Sequence, residues 1–190
     1  MTRKSSTPTM IDPPAPEFSR VVNLAGLPAA GIHREIEASP GEREALARRF
    51  GLPAIAALTG RFAIEPIRSG GVSGARITGD FSARVMQICV VSLEPFENDV
   101  AEPIALDFLP PEALEEGEDA ALYQDHDVEP LEGDALDIGE LVAQHLSLAL
   151  DPNPRRPGAS FAPTPTINVD SGDSAGAKPF AALGDLKRKM

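Results

Sequence analysis

Apolar and polar positions along this chain change period twice, from short alternations to a helical stripe and then to a long strand-like stretch. Residues 17–24 (EFSRVVNL) and 31–38 (GIHREIEA) predict two short strands. In the second, Ile32, Ile36 and Ala38 alternate roughly with polar Arg34 and Glu37. A helix follows. Ser39 is a good cap, Pro40 suits the first helical position, and Glu42 completes a capping box. Ala45, Leu46, Arg49 and Phe50 fall on one stripe, and Gly51 with Pro53 behind it ends the helix after Phe50.

From Ala57 to about Leu109 the pattern is that of strands. Phe62, Ile64 and Ile67 mark one strand, and Gly70-Gly71 suits a hairpin turn. In the run VSGARITGDFSARVMQICVVSL, Ala75, Ile77, Phe81, Ala83, Val85 and Cys89 keep odd spacing. That spacing predicts one long strand with a bend or bulge at Gly79. After a turn near Pro95, Val100, Ile104, Leu106 and Phe108 alternate again. The fold class expected is α+β: a curled antiparallel sheet, forming a partial barrel, with two principal helices and disordered tails.

Residues 110–127 are acidic and rich in turn formers, and read as a mobile loop. Val128–Leu131 is a short strand. Asp137 then caps a second helix with Glu140 three residues on, and Ile138, Leu141, Val142, His145, Leu146 and Ala149 form its apolar stripe up to Leu150. Four segments are expected: a disordered tail over 1–16, a single domain over 17–151, a flexible linker over 152–176 rich in Pro, Gly, Ser and Thr, and a short helical motif over 177–190. In that motif Phe180, Leu183 and Leu186 have helical spacing and cations follow them.

Composition narrows the picture. With 42% hydrophobic residues but 5% aromatics and no Trp, the core must be aliphatic. The 19 prolines and 16 glycines oppose a continuous helical bundle. Net charge is -12, and it is unevenly spread: residues 94–140 hold 17 of the 29 acids and no Lys or Arg. Such a surface opposes broad binding to nucleic-acid phosphate, which needs cations to displace counterions. It favours basic partners. The first residues, MTRKSSTPTMIDPPAP, have two cations and no apolar segment behind them, unlike a secretory signal. No stretch approaches the ~20 apolar residues of a membrane span. A single cysteine, Cys89, excludes an internal disulfide, so a cytoplasmic location is expected.

Candidate chemistry is sparse. His33, His126 and His145 fall in a strand, an acidic loop and a helix face. His126 lies between Asp125 and Asp127, but a metal site needs three or four converging ligands, and a solvated loop is the simpler reading. His145 reads as a core or boundary residue, and Cys89, with no paired histidine or second cysteine, as a small buried hydrophobe. No spacing in the acidic block singles out an acid–base pair. The SGGVSG stretch around Gly70, Gly71 and Gly74 lacks the helix and lysine of a phosphate loop. The cations Arg155-Arg156 and Lys187-Arg188-Lys189 form short spots, as compatible with solubilising tails as with an RNA contact.

The segments QICVVSLEPFE, ALDIGELVAQHLSLALDPNPRRPGA and PFAALGDLK, in that order within a likeness spanning about residue 17 to the C-terminus, together resemble the bacterial YceD family of large ribosomal RNA subunit accumulation proteins. In QICVVSLEPFE, Cys89, Pro95 and Phe96 match a strand with a CxxC pair followed by Pro-Phe, with Ser92 at the second cysteine position. In ALDIGELVAQHLSLALDPNPRRPGA, Asp137, Leu141, Leu148, Ala149, Leu150, Pro152 and Pro154 match a helix running into a Leu-Ala-Leu-x-Pro-x-Pro end. In PFAALGDLK, Pro179, Phe180, Ala181, Leu183, Leu186 and Lys187 match the family's ending, with Lys178 where Asn is usual.

The resemblance implies a role in making or stabilising large-subunit ribosomal RNA, with no enzymatic step and no cofactor. Members with several cysteines have the ligands for zinc. A chain with one thiol cannot build a thiolate site, so no metal is expected. Cys89, Pro95, Phe96, Asp137, Glu140, Pro179, Phe180, Leu183, Leu186 and Lys187 are the expected binding residues, with ribosomal proteins or pre-ribosomal particles as partners. Direct RNA binding is expected to be weak or indirect, and no membrane or small-molecule substrate is expected. For the C-terminal motif, docking on a partner and folding back on its own sheet are both open. A general adaptor or holdase unrelated to RNA is the alternative function.

Overall fold

The computed structural model describes residues 15–69, 72–115, 127–131 and 133–160. The expectations for residues 1–14, for 116–126 of the acidic loop including His126, and for 161–190 lie outside the described residues. The elements in order are β1 (Val21–Asn23), β2 (Ile32–Glu37), α1 (Pro40–Phe50), β3 (Ala54–Ser69), β4 (Val72–Ile88), β5 (Pro95–Leu109), α2 (Pro111–Glu115), β6 (Asp127–Pro130), β7 (Ala135–Asp137) and α3 (Ile138–Ala149).

Helix α1 forms where its caps place it. The Ser39 hydroxyl accepts the Glu42 N–H at 3.4 Å, and the Glu42 carboxylate accepts the Ser39 N–H at 2.7 Å. Gly51 closes the helix at φ 66°, a left-handed conformation that glycine adopts without a Cβ penalty, and its N–H donates to the carbonyls of Ala47 and Arg48.

The large sheet has five strands in the order β2-β3-β4-β5-β6. The first four are antiparallel neighbours, whereas β6 runs parallel to β5, pairing Leu106–Leu109 with Asp127–Pro130. The all-antiparallel expectation is corrected to this mixed sheet. The expected curl into a partial barrel is not seen either. Closure requires the outermost strands to pair, but β2 and β6 are separate edges. Helices α1 and α3 cover the apolar face, so the sheet need not wrap on itself to bury it.

Odd-numbered positions of β4 from Ala75 to Val85 point into the core, where Ala75, Ile77, Phe81, Ala83 and Val85 are buried. They meet Ile64, Leu58 and Ile55 from β3 and Val100, Ile104, Leu106 and Phe108 from β5. Gly79 is neither a bend nor a bulge, since it pairs regularly with Phe62 on one side and Ile104 on the other. It gives room to the Phe62 ring. A Cβ at Gly79 would lie 2.7 Å from that ring and one at Gly60 2.6 Å from it, and the Gly79 Cβ would also strike the Arg61 carbonyl. The irregularity lies between Ile55 and Ala57, where the register shifts. The extra residue lets both Ile55 and Leu58 face the core despite their odd separation.

A second, two-stranded sheet pairs β1 with β7 and brings the N-terminal segment to the start of α3. Ile138 N–H donates to the Arg20 carbonyl at 3.1 Å there. Gly139 permits the crossing, because a Cβ on it would lie 2.5 Å from the Phe18 carbonyl oxygen. Core residues of α3 are Ile138, Leu141, Val142, Ala143 and Leu146, with His145 and Ala149 half-buried. Among the described residues no helix is long and apolar enough to cross a membrane.

Candidate functional site

The expected binding residues that can be placed fall into two groups. Cys89, Pro95 and Phe96 lie together at the turn joining β4 to β5, where Pro95 pairs with Ile88 and Phe96 with Gln87. Asp137 and Glu140 lie at the start of α3. Pro179, Phe180, Leu183, Leu186 and Lys187 lie outside the described residues.

The turn is a small hydrogen-bonded knuckle. Cys89 N–H donates to the Glu94 carbonyl at 2.9 Å, and Leu93 N–H returns to the Cys89 carbonyl at 2.8 Å. Leu93 closes the turn at φ 59°, in the left-handed region that a branched apolar side chain rarely occupies, and its side chain is 76% exposed. The Cys89 side chain is buried and more than a hydrophobe. Its sulfur accepts the N–H groups of Ser92 and Arg156, each at 3.4 Å. The Ser92 hydroxyl, then the amides of Ser92 and Arg156, draw the thiol from about 9 down to about 6 against the opposing effect of burial.

Residues 152–156 open the segment expected to be a flexible linker, and Asp151 ends the expected domain before them. Residues 151–156 form instead a strap across this knuckle. Val90 N–H donates to the Pro154 carbonyl at 2.9 Å, and Arg156 forms an ion pair with Glu94 at 2.9 Å. Gln87, buried on the core-facing side of β4, donates to the Asp151 carbonyl at 3.2 Å and accepts from Asn98 at 3.0 Å. Gln87 was missed in the sequence. Its signal was a polar residue in phase with the odd-numbered apolar run. Beside the strap, an open cleft of about 590 Å³ lies between Phe50–Pro53, Ile88–Val90 and Leu150–Pro154. Within it Ile88 and Val90 are about two-fifths exposed.

The donors at the knuckle do not fit zinc. One thiol and one hydroxyl, Cys89 and Ser92, offer a single soft ligand, whereas a structural zinc site takes four nitrogen or sulfur ligands. No group of three or more His, Cys, Asp or Glu side chains converges among the described residues.

The second group is closed by arginines. One oxygen of Asp137 accepts three N–H groups, from Arg20 at 2.6 Å, Gly139 at 3.0 Å and Glu140 at 3.2 Å. Glu140, expected beside Asp137 as part of a cap, turns to Arg49, which reaches both of its carboxylate oxygens at 3.0 and 2.9 Å. Arg49 also reaches Glu17 at 2.9 Å, and these bonds hold its guanidinium above its ordinary value, Glu140 contributing most. Arg20 forms the matching fork with Glu42 at 2.7 and 3.0 Å, which with the Ser39 bonds holds the Glu42 carboxyl down at about 2. Asp137 and Glu140 therefore staple the N-terminal segment, α1 and α3 together. The arginines that do so carried no signal in the local sequence.

A family model described as "Large ribosomal RNA subunit accumulation protein YceD" matches residues 77–187, more than half of the chain. The chain belongs to the YceD family. The match begins within β4, so β1–β3 and α1, which the likeness was expected to include, precede it. Within the YceD range fall the Cys89 knuckle, the strap, the start of α3 and the C-terminal segment through Lys187. No curated protein and no solved structure matches the chain.

Proposed function

We propose that this YceD-family chain supports accumulation of large-subunit ribosomal RNA as a cytoplasmic, non-enzymatic binding factor that contacts basic proteins of the maturing particle. The family match over residues 77–187 carries this reading, because the family description names the RNA whose level depends on its members. The choice of a protein contact rests on charge. Residues 94–140 hold 17 of the chain's 29 acids and no Lys or Arg, and they include all of β5 and the acidic segment after it. A phosphate backbone is repelled by such a surface, whereas a Lys- and Arg-rich protein is steered to it.

The test is to delete the gene and measure precursor and mature large-subunit ribosomal RNA. Loss of the mature species relative to the small-subunit RNA, restored by a plasmid copy, is the expected result. Wild-type levels in the deleted strain would refute the proposal. Purified protein should bind naked ribosomal RNA weakly and lose it between 50 and 200 mM salt. Tight, salt-resistant binding would reassign the contact to RNA.

A further inference from the structure

We infer that the free edge of β5 takes an extended, Lys- or Arg-rich segment of a partner protein as an added strand, a mode of contact that rests on the binding role just proposed. Strand β5 is paired with β4 from Pro95 to Phe108, but on its other side β6 reaches only Leu106–Leu109. From Pro95 to Pro103 the β5–β6 register reaches no residue, and no described residue outside the β4 ladder is seen to bond to the main chain there. The phase of this edge can be read directly. Leu131 N–H donates to the Leu109 carbonyl at 2.7 Å, so the polar groups of Leu109 face the β6 side. The β4–β5 register shows no shift, so Glu97, Asp99, Ala101, Pro103 and Ala105 present theirs to the same side. Pro103 agrees, since a proline is tolerated in a sheet where its missing N–H faces outward. Among the described residues none accepts from the three consecutive donors of Glu97, Asp99 and Ala101 on this side.

The side chains select the occupant. Glu97, Asp99 and Glu102 are exposed along this edge. Asp99 is paired with Arg84 at 2.8 Å and Glu97 also acts on that guanidinium, whereas Glu102 has no ion pair among the described residues. A second copy would oppose acid to acid, which blunts the edge against self-association. A basic strand meets the opposite condition. Directly opposed residues share a face, so cations beside Glu97 and Asp99 on the solvent face and apolar residues beside Val100 on the core face are favoured. The expected ligand alternates basic and apolar residues over about six positions.

The experiment titrates the full chain with a fluorescein-labelled peptide of alternating Lys and Val, using an alternating Glu and Val peptide as control. Amide exchange is followed by NMR. Binding of the Lys peptide alone, at least tenfold slower exchange at Glu97, Asp99 and Ala101, and at least tenfold weaker binding by Ala101→Pro are expected. Proline at position 101 leaves the β4 ladder intact for the reason Pro103 does, and an unchanged Tm verifies this. No binding overturns the inference. So does bound peptide without slowed exchange at these three amides, which would mean that carboxylates alone make the contact. Neither result touches the ribosomal RNA levels on which the parent reading stands or falls.

Discussion

The Cys89 knuckle and the start of α3 both carry acids or a thiol in a family-matched segment, yet they meet opposite fates. At α3, Asp137 and Glu140 are consumed internally by Arg20, Arg49 and three backbone amides. At the knuckle the same kind of bonding fixes the sulfur but leaves Ile88 and Val90 uncovered in an open cleft and Leu93 exposed at the turn. A polar residue at a helix start is thus no indicator of a binding face until its partners are counted. Bound arginines turn such a residue into a staple, and exposed apolar neighbours mark a surface with capacity to spare.

That contrast can be broken at several points. The largest expected effect is on the staple side. Gly139→Val forces a side chain against the Phe18 carbonyl and should cost about 2–3 kcal/mol in urea unfolding. Asp137→Ala removes a cap and the acceptor for Arg20 N–H, with an expected loss of about 1–2 kcal/mol by the same measurement. Gln87→Ala should cost about 1 kcal/mol and, unlike the staple variants, should raise proteolysis selectively within residues 151–156. If Gln87→Ala behaves like Asp137→Ala, unfolding the molecule as a whole, the two regions are not distinct.

Acidity separates the regions without mutation. Glu42 sits at about 2 when folded and near 4.5 when free, so the unfolded chain binds more protons between those values. The stability it contributes is complete above 4.5 and is lost as pH falls toward 2. Arg20→Gln should flatten this acid limb. The Cys89 thiol acts in another window. With a folded value of about 6 against 9.0 unfolded, its contribution grows as pH rises from 6 to 9. Absorbance at 240 nm should show the thiolate forming near pH 6, and Ser92→Ala should move that midpoint upward. A midpoint at the ordinary thiol value in the native protein would contradict the knuckle geometry.

Local physics made α1 readable, because its cap, its first-position proline and its terminal glycine all lie within a dozen consecutive residues. The long β4 run was readable for a similar reason, since from Ala75 to Val85 one face is apolar at every second position apart from Gly79. What failed was non-local. Strand β6 pairs parallel to β5, and no alternation within Asp127–Pro130 encodes that direction. The strap over Cys89 depends on Gln87, Val90 and Glu94, more than 60 residues away in sequence, so a Pro-rich stretch that looked like linker proved to be anchored. Likewise Glu140 had two eligible partners, its own helix start and Arg49, and only tertiary placement chose between them.

Strand β4 is hydrogen-bonded on both flanks, to β3 from Val72 through Met86 and to β5 from Ala75 through Ile88. Its amides are shut away from solvent by two neighbours contiguous with it in the chain. Deuterium should therefore enter this strand last, only when the whole meander opens, while β2 and β6 at the margins exchange through smaller fluctuations. The slowest amides are thus expected in the strand within which the family match begins.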